Sequence, residues 1–271
     1  MDEVFSKTAF RDLSVLITGG TSGIGAAAGQ VFADGGGRVM LTGRNTERGE
    51  AECEKIRKTG GTAEFIPGDV TDSAFSERAV AETVKKFGRL DVLFANAGIY
   101  TGKSLVETTD EDWQEIFDIN VNGTFYFGRA AARQMIAQGE GGSIVNMSSE
   151  SGLVSYPSTV PYSSTKGAIV HLTKLMASDL ARHHIRVNVV CPCDVDTPMH
   201  SELWTTMTDL SEPEWRKAAA DLIPLGRVCT SEEVAQTVAF LASKAADNIT
   251  GAVLAIDGGT TTVSGWVGGE Q

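Results

Sequence analysis

The sequence has no excess of basic residues and no long hydrophobic run. Its 35 acidic residues outnumber the 23 basic ones, so the net charge is −12 at pH 7. Such a charge disfavours general binding to nucleic acid or to an anionic membrane. Residues 1–7 are acidic rather than basic, and no apolar run approaches the ~20 residues that a spanning helix needs. We therefore expect a cytoplasmic protein whose partners include neither nucleic acid nor a membrane.

The few cysteines and histidines show no spacing typical of a metal site. There are four of each, and only Cys191 and Cys193 form a close cysteine pair. We therefore predict reduced thiols and no metal. The sequence also lacks a Gly-x-Ser-x-Gly motif, so the serine nucleophile of a hydrolase elbow is not expected.

Length and patterning favour one domain. With 271 residues, 42% of them hydrophobic, the chain can bury one large core or two small ones. No repeat, linker or low-complexity tract divides it, so we predict a single domain over residues 1–271 with its core at about 11–259. Short apolar runs rich in β-formers alternate with helical stretches, which predicts right-handed βαβ crossovers in a parallel sheet.

A glycine-rich turn separates the first predicted strand from the first predicted helix. The strand covers residues 13–18, and the turn covers residues 19–25. Glycines let the backbone approach a pyrophosphate, and the helix N-terminus directs free N–H groups at the anion. The spacing is Gly-x-x-x-Gly-x-Gly instead of the standard Gly-x-Gly-x-x-Gly. We predict nucleotide binding here because a strand precedes the turn and a helix follows it.

The end of the second predicted strand, residues 38–42, bears on the choice of cofactor. Gly43 and Arg44 follow it, and the next acidic residue is Glu47. An acid at this strand end binds the ribose hydroxyls of NAD, whereas an arginine pairs with the 2′-phosphate of NADP. The sequence therefore favours NADP. NAD is the alternative if Arg44 only faces solvent from a surface loop.

Two further predicted strands end in residues that can face the same ligand. The strand at 63–67 leads to Asp69, and the strand at 91–95 leads to Asn96. Ligands of parallel sheets bind beyond the carboxyl ends of the strands. We therefore expect Gly19, Arg44, Asp69 and Asn96 to converge on one site.

Tyr162 and Lys166 stand four residues apart at the start of a predicted helix. Residues with this spacing share one helical face. A cation beside a tyrosine favours the phenolate, so we predict that Lys166 lowers the pKa of Tyr162. Such a tyrosine can give a proton to a carbonyl or take one from an alcohol. Ser149 ends the predicted strand before them and has a hydroxyl that can hold the substrate oxygen.

Asn120 and Gly123 interrupt a predicted long helix at residues 111–138. Both are poor helix formers. The interruption indicates either a kink at Gly123 or a backbone carbonyl that is free to bind water, and periodicity does not choose between them.

These motifs together resemble the short-chain dehydrogenase/reductase family over residues 13–259. The resemblance rests on residues 18–25, 96–98, Asn120, Ser149, Tyr162-x-x-x-Lys166, Cys191-Pro192 and Thr197-Pro198. It implies an α/β protein with a single-domain Rossmann fold, a doubly wound seven-stranded parallel sheet with helices on both faces. It also implies a homotetrameric oxidoreductase that moves a hydride between a nicotinamide cofactor and a ketone or secondary alcohol, without metal.

The resemblance further implies roles for individual residues. Tyr162 would be the general acid or base, and Lys166 would lower its pKa and bind the nicotinamide ribose. Ser149 would polarise the substrate oxygen, and the main chain of Asn120 would hold a water of the proton relay. The implied cofactor-binding residues are Gly19, Thr21, Ser22, Gly23, Ile24, Gly25, Arg44, Asp69, Val70, Asn96, Ala97, Gly98, Tyr162, Lys166, Pro192, Val195 and Thr197.

Residues 198–222 would form a substrate lid. We expect the substrate to contact residues of the lid and of loops near the catalytic set, namely Ser149, Glu150, Tyr156, Tyr162, Met199 and Trp204, with Met207, Tyr100 and Val154 as further candidates. Most of these side chains suit a cyclic or aromatic substrate. Glu150 instead favours a polar or cationic group, so the substrate class stays open.

Three positions depart from the family pattern. Ala95 replaces a common asparagine, and the glycine turn lacks the basic residue that is often found there. Cys193 replaces a glycine after the proline. If this position needs a positive φ, the cysteine is strained and cofactor binding suffers. Its thiol would also make the site sensitive to oxidation or to thiol reagents.

Several functions remain open from the sequence. The first is an NADP(H)-linked ketone reductase or alcohol dehydrogenase, and the second is an NAD-linked secondary alcohol dehydrogenase. A β-ketoacyl reductase that acts on an acidic carrier protein is supported only by Arg129 and Arg133. A non-catalytic dinucleotide-binding sensor is disfavoured because the catalytic set is complete.

Overall fold

The computed structural model describes residues 6–263, without the side chains of Thr206 and Met207. The strands and helices follow in the order β1 (Ser14–Thr18), α1 (Gly23–Asp34), β2 (Arg38–Gly43), α2 (Thr46–Lys58), β3 (Thr62–Pro67), α3 (Ser73–Phe87), β4 (Val92–Ala95), α4 (Asp110–Phe117), α5 (Gly123–Gln138), β5 (Gly142–Met147), α6 (Val160–Leu180), β6 (Ile185–Pro192), β7 (Val195–Asp196), α7 (Pro198–Met207), α8 (Glu212–Asp221), β8 (Cys229–Thr230), α9 (Ser231–Ala242) and β9 (Val253–Ile256).

The main sheet has seven strands in the order β3-β2-β1-β4-β5-β6-β9, and every pair of neighbours is parallel. The order runs outward in both directions from β1 and β4. This arrangement confirms the predicted doubly wound α/β fold.

Side-chain alternation along the central strands divides the core into two layers. In β1, Val15 and Ile17 pack with α1, α2 and α9 on one face of the sheet, and Leu16 packs with α3, α5 and α6 on the other. Successive residues of a strand point to opposite faces, so a strand that is covered by helices on both sides is apolar throughout. All five residues of β1 are buried accordingly.

A second, two-stranded sheet was not predicted. Its strands β7 and β8 pair in parallel, with Val195 opposite Cys229 and Asp196 opposite Thr230. The Thr197 hydroxyl then caps α7 by accepting the N–H of His200 at 3.2 Å. The segment predicted as a lid therefore contains two helices, α7 and α8. The chain enters α7 directly after β7, which is held by its pairing with β8.

The predicted long helix is interrupted by one turn of π-helix, Asp118–Asn122, between α4 and α5. Gly123 lies so close to Val70 that a Cβ would come within 3.0 Å of the valine side chain. The backbone angles of Gly123 are helical, with φ −56° and ψ −48°, so the interruption lies in the turn that contains Asn120 rather than as a kink at Gly123. Within residues 6–263 no helix is both long and apolar enough to cross a membrane.

Candidate active site

The carboxyl ends of the central strands open into a cavity of about 440 Å³. It lies where the strand order reverses between β1 and β4, which is where open α/β sheets bind ligands. The predicted site residues that line it are Gly19, Thr21, Ser22, Gly23, Ile24, Arg44, Asp69, Val70, Asn96, Ala97, Gly98, Ser149, Glu150, Tyr162, Lys166, Pro192, Val195, Thr197 and Met199. The structure thus brings together residues from seven separate stretches of sequence.

The glycine turn leaves space for an anion at the start of α1. Gly19 and Gly23 have φ values of +66° and +51°, which side chains rarely adopt. Gly25 does not line the cavity, but a Cβ on it would lie 2.2 Å from the Gly19 carbonyl oxygen. The first turn of α1 contains no acidic residue, and Ser22 does not cap it with its side chain. The N–H groups of this turn therefore fit the pyrophosphate of a dinucleotide.

Asn96 and Thr18 join the ends of β4 and β1. The Asn96 side-chain amide donates to the carbonyl oxygens of Thr18 and Gly19, at 3.1 and 3.0 Å. The Thr18 hydroxyl accepts from the backbone N–H groups of Asn96 and Ala97, both at 3.0 Å. Asn96 thus lines the cavity while its amide holds the glycine turn. Thr18 was not among the predicted site residues, and its place at the end of a strand was the available signal.

Asn120 is fully buried and joins three elements. Its side chain accepts from the Ile99 N–H at 2.8 Å and donates to the Ile99 carbonyl at 3.0 Å and to the Thr165 hydroxyl at 3.1 Å. Its own carbonyl accepts from the Thr124 hydroxyl at 2.7 Å. Asn120 does not line the cavity itself, but it fixes the loop after β4 against α6.

Tyr162, Lys166 and Ser149 meet at the inner end of the cavity. Lys166 is buried, its Nζ donates to the Met147 carbonyl at 3.3 Å, and this atom lies 5.4 Å from the centre of the Tyr162 ring. A hydrogen bond links the side chains of Ser149 and Tyr162. A Cβ on Gly98 would lie 3.6 Å from Lys166 Nζ. Because glycine has no side chain, this side of the lysine amine is open to a ligand.

The prediction that Lys166 lowers the pKa of Tyr162 is wrong for this structure. Burial raises the pKa of Tyr162 to about 12, the Ser149 hydrogen bond opposes the rise, and Tyr100, Asp194 and Glu150 add to it. Burial also lowers the pKa of Lys166 to about 8. Both charged forms lose hydration on burial, and this cost is the largest influence on the pKa of each group. Tyr162 therefore holds its proton at neutral pH.

Arg44 lies at the outer end of the cavity. It is exposed, follows directly after β2, and has no hydrogen bond or ion pair to any other residue among 6–263. Gly43 beside it is held close to Thr21, since a Cβ there would come within 2.6 Å of the threonine methyl group. The guanidinium is therefore free to meet a ligand at this end.

The substrate end differs from the prediction at two residues. Tyr156 and Trp204 do not belong to the described cavity wall. Tyr156 hydrogen-bonds to Glu150 behind the wall. Trp204 stacks on Trp215 at 6.1 Å and donates its N–H to His200 Nε2 at 2.7 Å, because the apolar surface of α7 is needed to pack α8. The side chain of Met207 lies outside the described residues.

Other wall residues at this end were missed as site residues. Asp194 and His200 line the cavity, and Asp194 Oδ1 lies 3.4 Å from His200 Nε2. Tyr100, named only as a further candidate, has its ring centre 4.8 Å from that of Tyr162. Asp194 gave a signal, since it stands between Pro192 and Thr197 of the recognised motif. His200 gave none, because its position depends on how α7 packs.

Cys193 is not strained. Among the described residues with a side chain, a positive φ occurs only at Asp12, Ser158 and His184. Burial and the nearby acids Glu150 and Asp194 raise the pKa of the Cys193 thiol, so the reactive thiolate is disfavoured. The expected strain is therefore wrong, and the structure disfavours the expected sensitivity to thiol reagents.

The side chains present bear on which cofactor the protein can bind. Within residues 6–263 no three His, Cys, Asp or Glu side chains lie close enough together to hold a metal ion. The glycine turn, the exposed Arg44 and the open side of Lys166 fit the phosphates and ribose of a nicotinamide dinucleotide.

Glu150 gives a testable stability prediction. Burial raises its pKa from the ordinary 4.5 to about 7. Between these values the folded state binds a proton that the unfolded chain has lost, so this group makes stability fall as pH rises from 4.5 to 7. Glu150→Gln removes the charge. We measure the free energy of unfolding of Glu150→Gln and of the parent in urea. We expect the variant value minus the parent value to rise by up to about 3 kcal/mol from pH 4.5 to pH 8.

The control for this measurement is Glu82→Gln on the exposed face of α3, where Glu82 pairs only with Lys85. The free energy of unfolding of Glu82→Gln should stay within about 0.5 kcal/mol of the parent value at every pH. A Glu150→Gln difference that is equally flat would show that Glu150 titrates as an ordinary surface acid.

Comparisons with known proteins identify the family of this chain. The family model described as Enoyl-(Acyl carrier protein) reductase matches residues 19–261. A 3beta-hydroxysteroid dehydrogenase from Mediterraneibacter gnavus is 37% identical over 272 residues, 95% of this chain and 98% of that protein. A cyclopentanol dehydrogenase from a Comamonas species is 39% identical over 250 residues, 92% of this chain and 97% of that protein.

A solved structure is also similar to this chain over nearly its whole length. The crystal structure of a short-chain type dehydrogenase/reductase from Mycobacterium marinum has a TM-score of 0.88 at 33% identity, with 96% of this chain and 100% of that chain covered. The chain therefore belongs to the short-chain dehydrogenase/reductase family and is an oxidoreductase that acts on alcohol or carbonyl groups with a nicotinamide cofactor.

Proposed function

We propose that the protein is an NADP(H)-dependent reductase of ketones that also oxidises secondary alcohols, with Tyr162 as its general acid and base. The observation that carries this proposal is the meeting of Ser149, Tyr162 and Lys166 in one cavity that extends to the glycine turn. The nicotinamide cofactor, when bound, supplies or accepts the hydride.

The side chains at the inner end have distinct roles in this proposal. Ser149 orients the substrate oxygen, and Tyr162 gives its phenol proton to that oxygen during reduction. The raised pKa of Tyr162, about 12, keeps the phenol protonated and ready to donate at neutral pH. Lys166 binds the ribose of the nicotinamide, and the main-chain carbonyl of Asn120 holds the water that passes protons onward.

The cofactor residues follow the length of the cavity. The N–H groups at the start of α1 bind the pyrophosphate, and Asp69 and Val70 contact the adenine. Ala97 and Gly98 lie along the cofactor, and Val195 and Thr197 reach the carboxamide. Arg44, exposed and without a partner among the described residues, pairs with the 2′-phosphate of NADP.

The carrier-protein alternative stays open. Arg133 is paired with Glu77 at 2.9 Å in an exposed ion pair, and the Arg129 guanidinium lies over the rings of Phe125 and Tyr126 at 5.0 and 5.7 Å. Arg129 makes no ion pair within residues 6–263, and an exposed pair such as that of Arg133 is weak, so neither contact excludes an acidic carrier protein.

We also propose a homotetramer, because apolar side chains are exposed on two separate faces. Leu254 is 37% exposed on β9 at the edge of the sheet, and Leu175 and Phe125 are 53% and 40% exposed on α6 and α5. Faces of this kind on a single chain mark protein interfaces. Two different faces permit assembly beyond a dimer.

Tyr162→Phe tests the chemistry. The variant keeps the ring but has no proton to give, so we expect kcat for ketone reduction with NADPH to fall at least about 100-fold. NADPH binding, measured by fluorescence titration, should stay within a few-fold. Tyr126→Phe on α5 is the matched control and should react like the parent. Undiminished turnover by Tyr162→Phe would contradict the proposal, and a parent that binds NADPH but turns over neither ketones nor alcohols would point to the sensor.

Arg44→Asp tests cofactor choice. An aspartate repels the 2′-phosphate and can accept the ribose hydroxyls, so the ratio of kcat/KM for NADPH over NADH should fall by about two orders of magnitude. The control is Arg182→Asp, an exposed arginine next to His183 at the opposite end of the sheet. An unchanged ratio in Arg44→Asp would contradict the role of Arg44, and a parent that also prefers NADH would support the NAD-linked alternative.

Leu175→Glu tests the assembly. A charge on an apolar interface breaks it, so we expect the mass from sedimentation equilibrium to fall from four chains to two. Lys58→Glu, on the exposed end of α2, should leave the mass unchanged. A parent that sediments as a single chain would contradict the homotetramer.

A further inference from the structure

The substrate end of the cavity carries two acids that the proposed chemistry does not use. Glu150 follows Ser149 directly in the chain, Asp194 lies in the segment after β6, and both line the cavity. Burial raises the pKa of Glu150, and the negative charges of Asp194 and Asp257 add to the rise. Both Glu150 and Asp194 lie on the wall of the cavity that contains Tyr162.

No positive side chain of the described residues neutralises this pair. Glu150 makes no ion pair within residues 6–263; its neighbour is the Tyr156 hydroxyl, and its Oε2 is buried without a hydrogen-bond partner. Among residues 6–263 the Asp194 carboxylate has one ion-pair neighbour, His200 Nε2 at 3.4 Å. That nitrogen already accepts the Trp204 N–H at 2.7 Å, so it presents no proton to Asp194.

His200 adds a second unsatisfied group at the same wall. It is 6% exposed, and its Nδ1 is buried without a partner in the described part of the chain. With Nε2 as the acceptor from Trp204, the neutral ring carries its proton on Nδ1. The wall therefore combines two acidic side chains with one unpaired imidazole nitrogen, and none of them is used to bind the cofactor in the function proposed above.

Burying a carboxylate without a partner is costly, and a charged hydrogen-bond donor removes most of that cost. An anionic substrate would be repelled from this wall, and a purely apolar one would leave Glu150 unpaired. A protonated amine on the substrate donates hydrogen bonds to the Glu150 carboxylate and so removes this cost. Substrates that carry such an amine are therefore preferred at this wall over those that lack it.

We propose that the substrate is an amino ketone or amino alcohol, with its ammonium group bound by Glu150 and Asp194 while Ser149 and Tyr162 hold its oxygen. This inference rests on the proposed function, since it takes the carbonyl or alcohol to lie at Tyr162. Glu150 and Asp194 are specificity-determining residues in it, and they take no part in the transfer of the proton or hydride.

The test compares matched alcohols on the full-length protein loaded with NADP⁺ and, in parallel, with NAD⁺. The probes are 2-aminocyclohexanol and cyclohexanol, and 1-amino-2-propanol and 2-butanol. Titration calorimetry gives Kd, and cofactor absorbance gives kcat/KM. In the parent, each amine should be favoured over its neutral partner at least about tenfold in both quantities, as expected for a hydrogen bond to a charged group.

Substitutions then locate the preference. Glu150→Gln keeps the shape of the side chain and should bring the amine-to-neutral ratio close to one, and Asp194→Asn should lower it in part. Glu82→Gln, which removes a distant exposed acid, should leave the ratio at the parent value. The inference is overturned if the parent does not favour the amines, or if the preference survives both Glu150→Gln and Asp194→Asn.

The two proposals fail in different ways. Tyr162→Phe should abolish turnover of both alcohols while the binding ratio from calorimetry persists. Turnover that depends on Tyr162 without any preference for the amine contradicts the substrate class alone. A binding preference that depends on Glu150, without turnover of any probe, supports the amine site and contradicts the proposed chemistry.

Discussion

The junction of Thr18 with Asn96 is the constraint on which the site depends. Parallel strands that wind outward in both directions leave a crevice where the order reverses, here between β1 and β4. Four hydrogen bonds between the ends of these strands hold that crevice at a fixed width and fix the start of the glycine turn. The first turn of α1, which follows this turn, has no side-chain cap, so its N–H groups remain available for a ligand.

A second network, around Asn120, places the chemistry against that crevice. One turn of π-helix turns the asparagine inward, where it binds both polar groups of Ile99 and the Thr165 hydroxyl one residue before Lys166. The helix that carries Tyr162 is thereby fixed relative to the loop after β4. This rigidity has an electrostatic cost, since the buried tyrosine and lysine both shift towards their neutral forms.

The two ends of the cavity are lined by different parts of the chain. The cofactor end consists largely of backbone and of glycines that bring it close, so it suits a ligand shared across a family. The substrate end consists of side chains that can change without altering the fold, including Glu150, Asp194 and His200. Affinity for the cofactor and choice of substrate are therefore separable in this molecule.

The sequence by itself determined the alternation of strands and helices and the glycine turn, because buried strands and glycine turns are local patterns. The seven-stranded doubly wound sheet and the set of residues around Tyr162 came from the resemblance to a family. Tertiary structure alone decided the rest. It raised the pKa of Tyr162 instead of lowering it, since burial depends on every element around the ring. It turned Trp204 away from the cavity and brought His200 to it, because helix packing sets which face of α7 points inward. It also gave Cys193 an unstrained backbone, which only the path of the chain after β6 could settle.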